Sequence, residues 1–447
     1  MNLRLADLSA CFEGVIPSII ATAAADGTPN ISYLSHVLRV DDDHVAISNQ
    51  FFAKTAANVR ANTQVTLILV DGTTGEQYLL DIGFQRSVES GALFERIAGQ
   101  LKASSAQVGM SEVMRLRSAD IFRVHAIEKV PSPVECRPAP RRDPVDLAAL
   151  AEAVAGIEMQ AAADGIIDSL LAGVRQVLGH EQALVLIRDG ASGALVTTGS
   201  MGYARSGLGS EAPGGAGLIG EAAASGRAIK VSDMSRVRRF GEAITLEAEA
   251  DASENATRSV AFPQLPSAMS QIAVPMMSRG VLTGVLFVES PERLAFREED
   301  EAALRILAAQ AATALRASEQ EAAAAEPGRL RPRPLPAPGR QVRVLHHGYD
   351  DSVFVDGVYI VKGVAGMLLR MMLDWHLNEG RSEFTNRELR LAAGSRMPEI
   401  KDNLETRLLL LRRRLEEKQA PVRVLRVERG RLRLDIDGAL SLESGPE

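Results

Sequence analysis

The sequence is poor in the residues that build covalent, metal or aromatic sites. It has two cysteines, Cys11 and Cys136, among 447 residues. That is too few for a disulfide framework, and no Cys/His cluster has the spacing of a metal site. Aromatic residues make up 4% of the chain, with Trp375 as the single tryptophan. We therefore expect no metal site and no surface of stacked aromatic rings of the kind that binds unpaired bases.

Long apolar runs are also missing. No stretch approaches the roughly 18 consecutive apolar residues that a membrane span requires. The N-terminus lacks the basic start, apolar core and cleavage site of a signal peptide. Hydrophobic residues at 46% and charged residues at 24% are ordinary for a soluble globular protein. The sequence thus predicts a cytoplasmic protein that does not contact a membrane.

Charge is distributed unevenly along the chain. The formal net charge is -7, yet residues 401–433 hold 11 Lys/Arg against 5 Asp/Glu. The rest of the chain therefore carries a net charge of -13. A basic segment on an acidic body suggests a polyanionic partner, although a single charge run is more often a solvated face.

Two proline-rich stretches divide the chain. VPSPVECRPAPRRDP places a linker at 131–145, and EPGRLRPRPLPAPGR places another at 326–340. Proline favours extended chain that packs poorly, which is typical of semi-rigid linkers. The sequence therefore predicts a multidomain protein with units at 1–130, 146–325 and 341–447.

The first unit alternates short apolar strands with turns, including a hairpin around Asp26-Gly27, and this pattern favours a small barrel. In its stretch SNQFFAKTAANVRANTQV a strand ends and Lys54 and Thr55 stand at the start of a helix. A helix N-terminus attracts phosphate, and these two residues add a cation and a hydroxyl donor.

This region resembles the pyridoxamine 5'-phosphate oxidase-like FMN-binding split barrel. The resemblance implies that Lys54 and Thr55 hold the FMN phosphate, and that Ser48, Asn49 and Gln50 lie beside the ribityl chain or the ring. It also implies a homodimer, because the flavin of that family lies between two subunits. The tryptophan-bearing C-terminal extension of the true oxidase is absent from this unit, so pyridoxamine phosphate oxidation is not expected.

The middle unit predicts helices on either side of an antiparallel sheet, an α+β sandwich. The stretches AGLIGEAAASGRAIKVSDMSR and SQIAVPMMSRGVLTGVLFVES, with the tail FREEDEAALRILAAQAATAL, resemble a GAF domain. The resemblance implies a pocket for a small-molecule effector, whose identity the sequence leaves unknown. The unit has no cysteine, which excludes a thioether-linked bilin.

The stretch ETRLLLLRRRLEE in the last unit predicts a helix with two different faces. At 3.6 residues per turn, Leu404, Leu408, Leu411 and Leu415 share one side and should form a core. The opposite side is predicted to carry Asn403, Thr406, Arg407, Leu410, Arg413 and Arg414.

The order of hairpin, helices, basic helix and VLRVERGRLRL hairpin resembles the winged helix of response-regulator transcription factors. The resemblance implies DNA binding, in which cations position the helix and polar side chains reach base edges. The predicted DNA-binding residues are Asn403, Thr406, Arg407, Arg413, Arg414, Arg429, Arg431 and Arg433. The alternative is a winged helix that contacts protein, with Leu410 as its anchor.

Together these patterns predict a dimeric, cytoplasmic transcriptional regulator that responds to a ligand or to redox state. The alternative is an FMN-dependent oxidoreductase whose GAF and C-terminal domains regulate or recruit it. A third possibility is a scaffold without enzymatic activity. No catalytic residue is assigned in any of these.

Overall fold

The computed structural model describes most of the chain in stretches separated by gaps. The described residues are 3–34, 36–49, 53–107, 115–131, 143–190, 192–212, 217–235, 258, 260–324, 340–394 and 404–445. The two predicted linkers lie largely outside these ranges, and Gln50 and Asn403 lie outside them entirely.

The N-terminal unit opens with a 3-10 helix, Leu5–Glu13, and continues as strands with two helices between them. The elements are β1 Ser18–Ala23, β2 Pro29–Leu34, β3 Val37–Arg39, β4 His44–Asn49, α1 Ala53–Ala61, β5 Gln64–Val70, β6 Gln77–Val88, α2 Ala92–Gln107 and β7 Ser118–Val130. The described strands pair antiparallel in the order β2-β1-β5-β6-β7-β4-β3.

Inward side chains close this sheet into a half-barrel. Ile20 of β1, Leu67 of β5 and Leu80 of β6 meet Val45 of β4 in one buried cluster, although three strands separate β1 from β4 in the sheet order. The predicted hairpin at Asp26-Gly27 is present, and Gly27 adopts a φ of 84° that suits glycine. The predicted barrel is confirmed as a half-barrel of antiparallel strands.

The middle unit has helices on one face of a sheet and a shorter helix on the other. Its elements are α3 Leu147–Glu158, α4 Ala163–Leu178, β8 Gln182–Arg188, β9 Leu195–Met201, α5 Gly217–Ser225, β10 Ile229–Val231, β11 Ser270–Ser278, β12 Val281–Ser290 and α6 Glu298–Ala324. The described strands form an antiparallel sheet in the order β10-β11-β12-β8-β9.

Alternation along β8 explains how the sheet is covered on both faces. Val185 and Ile187 belong to the core formed with α4 and α6, whereas Leu184 and Leu186 belong to a second core that includes residues of α5. The unit opens with two separate helices, α3 and α4, with a break in the chain direction between Glu158 and Ala163. The two helices fold back on each other, and a Cβ at Gly173 would lie 3.2 Å from that of Ala153.

The C-terminal unit combines two small sheets with three described helices. Its elements are β13 Gln341–His347, β14 Ser352–Val355, β15 Val358–Val361, α7 Gly363–Glu379, β16 Glu383–Thr385, α8 Asn386–Gly394, α9 Leu404–Glu417, β17 Val422–Glu428, β18 Arg431–Ile436 and β19 Ala439–Ser444. The sheet orders are β15-β14-β13-β19 and β16-β18-β17.

Helix boundaries in this unit follow local sequence. The helix α7 ends at Gly380, which has a φ of 66° and closes the last turn with its N–H on the carbonyl of His376. The predicted β17–β18 hairpin is present and turns between Glu428 and Arg431. The strand β19 was not predicted; it pairs parallel with β13, from the other end of the unit. In the described part of the chain, no helix combines the length and apolarity needed to cross a membrane.

We expect Gly366→Ala to destabilise the C-terminal unit by about 1–3 kcal/mol, the usual cost of overpacking. An added Cβ would overlap the carbonyl oxygen of Asp351, against which α7 packs. Urea unfolding followed by the fluorescence of Trp375, the single tryptophan, reports the unfolding of the part of the chain that holds this unit. Gly348→Ala is the control, because a Cβ there meets no atom within 4 Å. Equal midpoints for the two variants would contradict the packing argument.

Candidate functional site

The N-terminus of α1 is fixed to the β1–β2 hairpin by a polar network. The hydroxyl of Thr55 accepts a hydrogen bond from Asn30 Nδ2 at 3.1 Å and lies 2.8 Å from Ser32 Oγ. One turn later, Asn58 Nδ2 donates to Thr22 Oγ1 at 3.1 Å. Since Thr55 and Asn58 are buried, these bonds set the position of the helix end.

The same helix end is suited to an anion. Lys54 is exposed, and the first turn of the described helix α1 contains no acidic residue. Lys54 also helps lower the pKa of Asp26, the carboxylate in the hairpin turn, although the main cause of that lowering is hydrogen bonding from Thr28. The donor set of a lysine, a threonine and a positive helix terminus therefore fits the phosphate of a nucleotide cofactor.

The end of β4 brings together a different group of residues. Ser48 is fully buried, and its hydroxyl donates to the carbonyl of His36 at 3.2 Å. Asn49 Nδ2 donates to Asp120 Oδ2 at 3.3 Å, and the hydroxyl of Ser87 donates to Oδ1 of the same carboxylate at 2.6 Å. The sequence did not predict Asp120 as a site residue, because it lies near the start of β7 and no recognisable motif surrounds it.

A cavity of about 300 Å³ lies at the junction of the barrel and the GAF unit, and residues of both units line it. The ring of His36 lines it, and burial lowers the pKa of His36 to about 4, so the imidazole is neutral at pH 7. Lys230 bridges the two units, with Nζ 2.7 Å from Glu13 and 4.0 Å from Glu301. The hydroxyl of Ser232 also donates to Glu13, at 2.7 Å. The barrel and the GAF unit are thus joined by a buried polar contact.

The basic helix α9 has the predicted leucine core. Leu404, Leu408, Leu411 and Leu415 are buried in the core of the C-terminal unit. The prediction did not include Leu409, which is 1% exposed and belongs instead to the core of the GAF unit. The helix α9 is therefore shared by two cores, one on each side.

Arginines of α9 bind carboxylates of the GAF unit. Arg407 pairs with Asp189, and Arg412 pairs with Asp164. Arg413 donates to Asp168 Oδ1 at 2.6 Å and to the carbonyl of Thr198 at 2.9 Å. The side chains of the three arginines are only 13–16% exposed. The face predicted to contact DNA is occupied by the GAF unit in this structure.

Two residues of the predicted DNA-binding face are placed differently from the helical wheel. Arg414 is 1% exposed; its Nε donates to the carbonyl of Ile360 at 2.9 Å, and it pairs with Glu417 at 2.8 Å. Thr406 is also buried. The prediction that these two side chains project into solvent is wrong, because the wheel counted one core whereas α9 packs on several elements.

Two of the predicted arginines of the β17–β18 hairpin, Arg429 and Arg431, are also paired. Arg429, at the turn, pairs with Glu321 of α6. Arg431 is 3.0 Å from Glu428, and both Arg431 and Arg433 lie on β18, the central strand of its sheet. The hairpin thus touches the GAF unit at its tip.

The N-terminus of α9 is capped from outside its own unit. Glu319 of α6 accepts the backbone N–H groups of Leu404 at 3.0 Å and Glu405 at 2.8 Å, and it pairs with Arg390. Burial raises the pKa of Glu319, partly offset by the charge of Arg390. A carboxylate at a helix N-terminus is stabilising, so Glu319 of α6 stabilises the first turn of the basic helix α9. No sequence pattern could have identified this pairing.

Comparisons with known proteins agree with the first two units. Residues 7–135 match the family model described as pyridoxamine 5'-phosphate oxidase, and residues 163–315 match the model of the GAF domain. The chain therefore contains an N-terminal domain of the pyridoxamine 5'-phosphate oxidase type. A GAF domain follows it, and neither model extends beyond residue 315. No curated protein matches the chain.

Solved structures resemble single domains of this chain. An FMN-binding protein from Syntrophomonas wolfei is 16% identical, covers 28% of this chain and 86% of its own, and has a TM-score of 0.24. The GAF domain of an Acinetobacter phosphoenolpyruvate-protein phosphotransferase is 20% identical over 38% and 90%, with a TM-score of 0.31. Free methionine-R-sulfoxide reductase from Neisseria meningitidis is 23% identical over 39% and 89%, with a TM-score of 0.29.

Glu301 gives the junction of barrel and GAF unit a predictable pH dependence. Burial raises the pKa of Glu301, and the nearby charge of Lys230 only partly offsets this. Since the folded protein favours the protonated form, this stability is complete below the ordinary glutamate pKa and is lost as pH rises through the raised value. We expect Glu301→Gln to have a higher apparent Tm than the wild type at pH 8, by about 2 °C, and an equal Tm at pH 4.

Differential scanning fluorimetry across this pH range measures the effect. The matched control is Glu152→Gln, an exposed carboxylate on α3 of the same domain. A Tm difference for Glu301→Gln that stays constant with pH would contradict the assignment.

Proposed function

We propose that the protein is a DNA-binding regulator controlled by its sensor domains. In this proposal the GAF domain covers the basic helix α9 and keeps it from DNA. The observation that carries the proposal is the contact of Arg407, Arg412 and Arg413 with three aspartates of the GAF domain. Carboxylates pair with guanidinium groups in the same way as phosphates do. The aspartates would therefore compete directly with a DNA backbone for the same side chains.

The order of elements in the C-terminal unit supports a winged helix as the output domain. Three strands, β13 to β15, precede three described helices, the last of them basic, and the β17–β18 hairpin follows it. In such a domain the last helix enters the major groove and the hairpin lies along the backbone. On this proposal, release from the GAF domain frees α9 and the tip of the hairpin together, because Arg429 is also held by the sensor.

In this proposal the protein has a closed state, with α9 packed on the GAF domain, and an open state, with α9 released. Interfaces between domains of one chain generally resemble transient protein–protein interfaces. Here Leu409 must leave an apolar core on opening, at a cost of about 1.5–3 kcal/mol for the exposed side chain. Asp168, by contrast, is 65% exposed and so accessible to salt. A ligand-driven change in the sensor can therefore shift the balance between the two states.

The direct test removes the three carboxylates. We expect the triple variant Asp164→Asn, Asp168→Asn, Asp189→Asn to bind a 30-base-pair duplex at least about tenfold more tightly than the wild type. The reason is that the arginines lose their internal partners and become available to phosphate. Fluorescence anisotropy at several salt concentrations measures this affinity, which should fall steeply with salt.

A matched control neutralises three carboxylates elsewhere. Asp42→Asn, Glu89→Gln and Glu128→Gln change the net charge equally at exposed positions of the barrel. Arg407→Ala with Arg413→Ala in the triple variant should abolish the gain. If the triple variant binds no more tightly than the control, α9 is a fixed interdomain contact and the DNA proposal is wrong.

We also propose that the N-terminal domain binds FMN. Lys54 and Thr55 would hold the phosphate at the terminus of α1, while Ser48 and Asn49 would lie beside the rest of the flavin, with Gln50 next to them in sequence. When bound, a flavin supplies redox chemistry and a visible absorbance. The residues of the chain would bind and orient it, and Asp120 would keep Asn49 in place.

A second copy of the chain would complete this site. The strand β2 is at the edge of the described sheet, and its residues Ile31 and Tyr33 are 71% and 70% exposed. Asn30 and Ser32, which alternate with them, face the terminus of α1. An apolar edge strand beside the phosphate site is suited to dimerisation.

Comparison of FMN with riboflavin tests the phosphate site. We expect Lys54→Ala to weaken FMN binding by about tenfold, the effect of losing one charged contact, and to leave riboflavin binding unchanged. Isothermal titration calorimetry and flavin absorbance measure both. Lys129→Ala, which removes a lysine from the far end of the sheet, is the control. Equal affinity of the wild type for FMN and riboflavin would refute the site.

A further inference from the structure

A second cavity lies between the GAF domain and the C-terminal unit. Its volume is about 340 Å³, which falls within the range of small-molecule sites. The GAF side is formed by the end of β8 and by β9, and the other side by β15, the start of α7 and α9. Because it opens beside the contact of α9 with the sensor, any molecule inside it touches both domains.

The walls of the cavity are mostly apolar. Ile187 and Val196 line it from the GAF domain, and Ile360, Val364 and Leu410 line it from the C-terminal unit. Leu410, predicted as an outward anchor, therefore faces this cavity. These apolar parts of the wall suit a small hydrocarbon or aromatic group.

One polar group in the wall lacks a complete set of partners. Arg407 binds Asp189 through one terminal nitrogen, while its buried Nε has no hydrogen-bond partner among the described residues. The other oxygen of Asp189 accepts the hydroxyl of Ser192 at 2.7 Å. Burial lowers the pKa of Arg407 to about 10. A guanidinium N–H without a partner is stabilised when an oxygen acceptor reaches it.

Other charges that line the cavity are already paired. Glu211 lies 3.0 Å from Lys362, and Asp350 lies 3.6 Å from Arg258 and accepts the N–H of Ser352. Arg188 is a further cation in the wall. The unmet donor at Arg407 therefore determines which ligand chemistry fits best.

We propose that this cavity binds a small carboxylic acid with an apolar body, whose carboxylate pairs with Arg407 while the body packs on Ile187, Val196 and Leu410. A carboxylate can engage Nε and a terminal nitrogen of the guanidinium together. The acid then competes with Asp189. This step rests on the proposed function: weakening the Arg407–Asp189 contact would favour release of α9.

Benzoate and phenylacetate are suitable probes, with benzamide as the neutral match for benzoate. We expect both acids to bind the full-length chain with millimolar Kd by saturation-transfer NMR and to bind at least tenfold more tightly than benzamide. Arg407→Gln should abolish the preference for the acid. Arg423→Gln, which removes an exposed arginine of β17 outside the cavity, should retain it.

Val196→Phe provides a second variant that keeps Arg407 and fills the cavity, and it should block both acids. If neither acid binds the wild type, or if both bind the Arg407→Gln and Val196→Phe variants equally well, the inference is wrong. Acid binding that follows this pattern supports the cavity even if the triple aspartate variant gains no DNA affinity. That second result overturns the proposed function alone.

Discussion

The pairing of arginines on α9 with aspartates of the GAF domain is the interaction on which the arrangement of the chain depends. It places the most basic segment of an acidic protein against its own acidic surface, and so accounts for the uneven charge of the sequence. Ion pairs of this kind add little stability where they are exposed. Their value lies in specificity, because they define which face of α9 is covered, while Leu409 supplies the apolar contact.

The GAF domain lies between the other two units and contacts both of them. Lys230 and Ser232 bind Glu13 of the barrel, and α9 binds the other side of the domain. A change in the GAF domain therefore reaches the barrel and the C-terminal unit through direct contacts. The cavity at each junction offers room for a ligand where such a change would be transmitted.

Much of the fold follows from local sequence, and the limits have physical causes. The Asp26-Gly27 hairpin, the strand β4 that ends before Lys54, and the β17–β18 hairpin were predicted from apolar strand patterns and turn residues. The partners of α9 could not be predicted, because Asp164 and Asp189 lie over 200 residues away along the chain. Arg414 shows the same limit: a helical wheel gives a direction, while burial depends on what lies there.

Because Glu319 of α6 caps α9, the stability of the C-terminal unit depends on the helix that ends the GAF domain. The first N–H groups of α9 are satisfied by α6, so a fragment beginning after the GAF domain would lose these acceptors and its first helical turn would fray. The C-terminal unit in isolation is thus a different folding unit from the one in the intact chain. Its unfolding should be cooperative with that of the sensor, so that heat or denaturant melts the two as one.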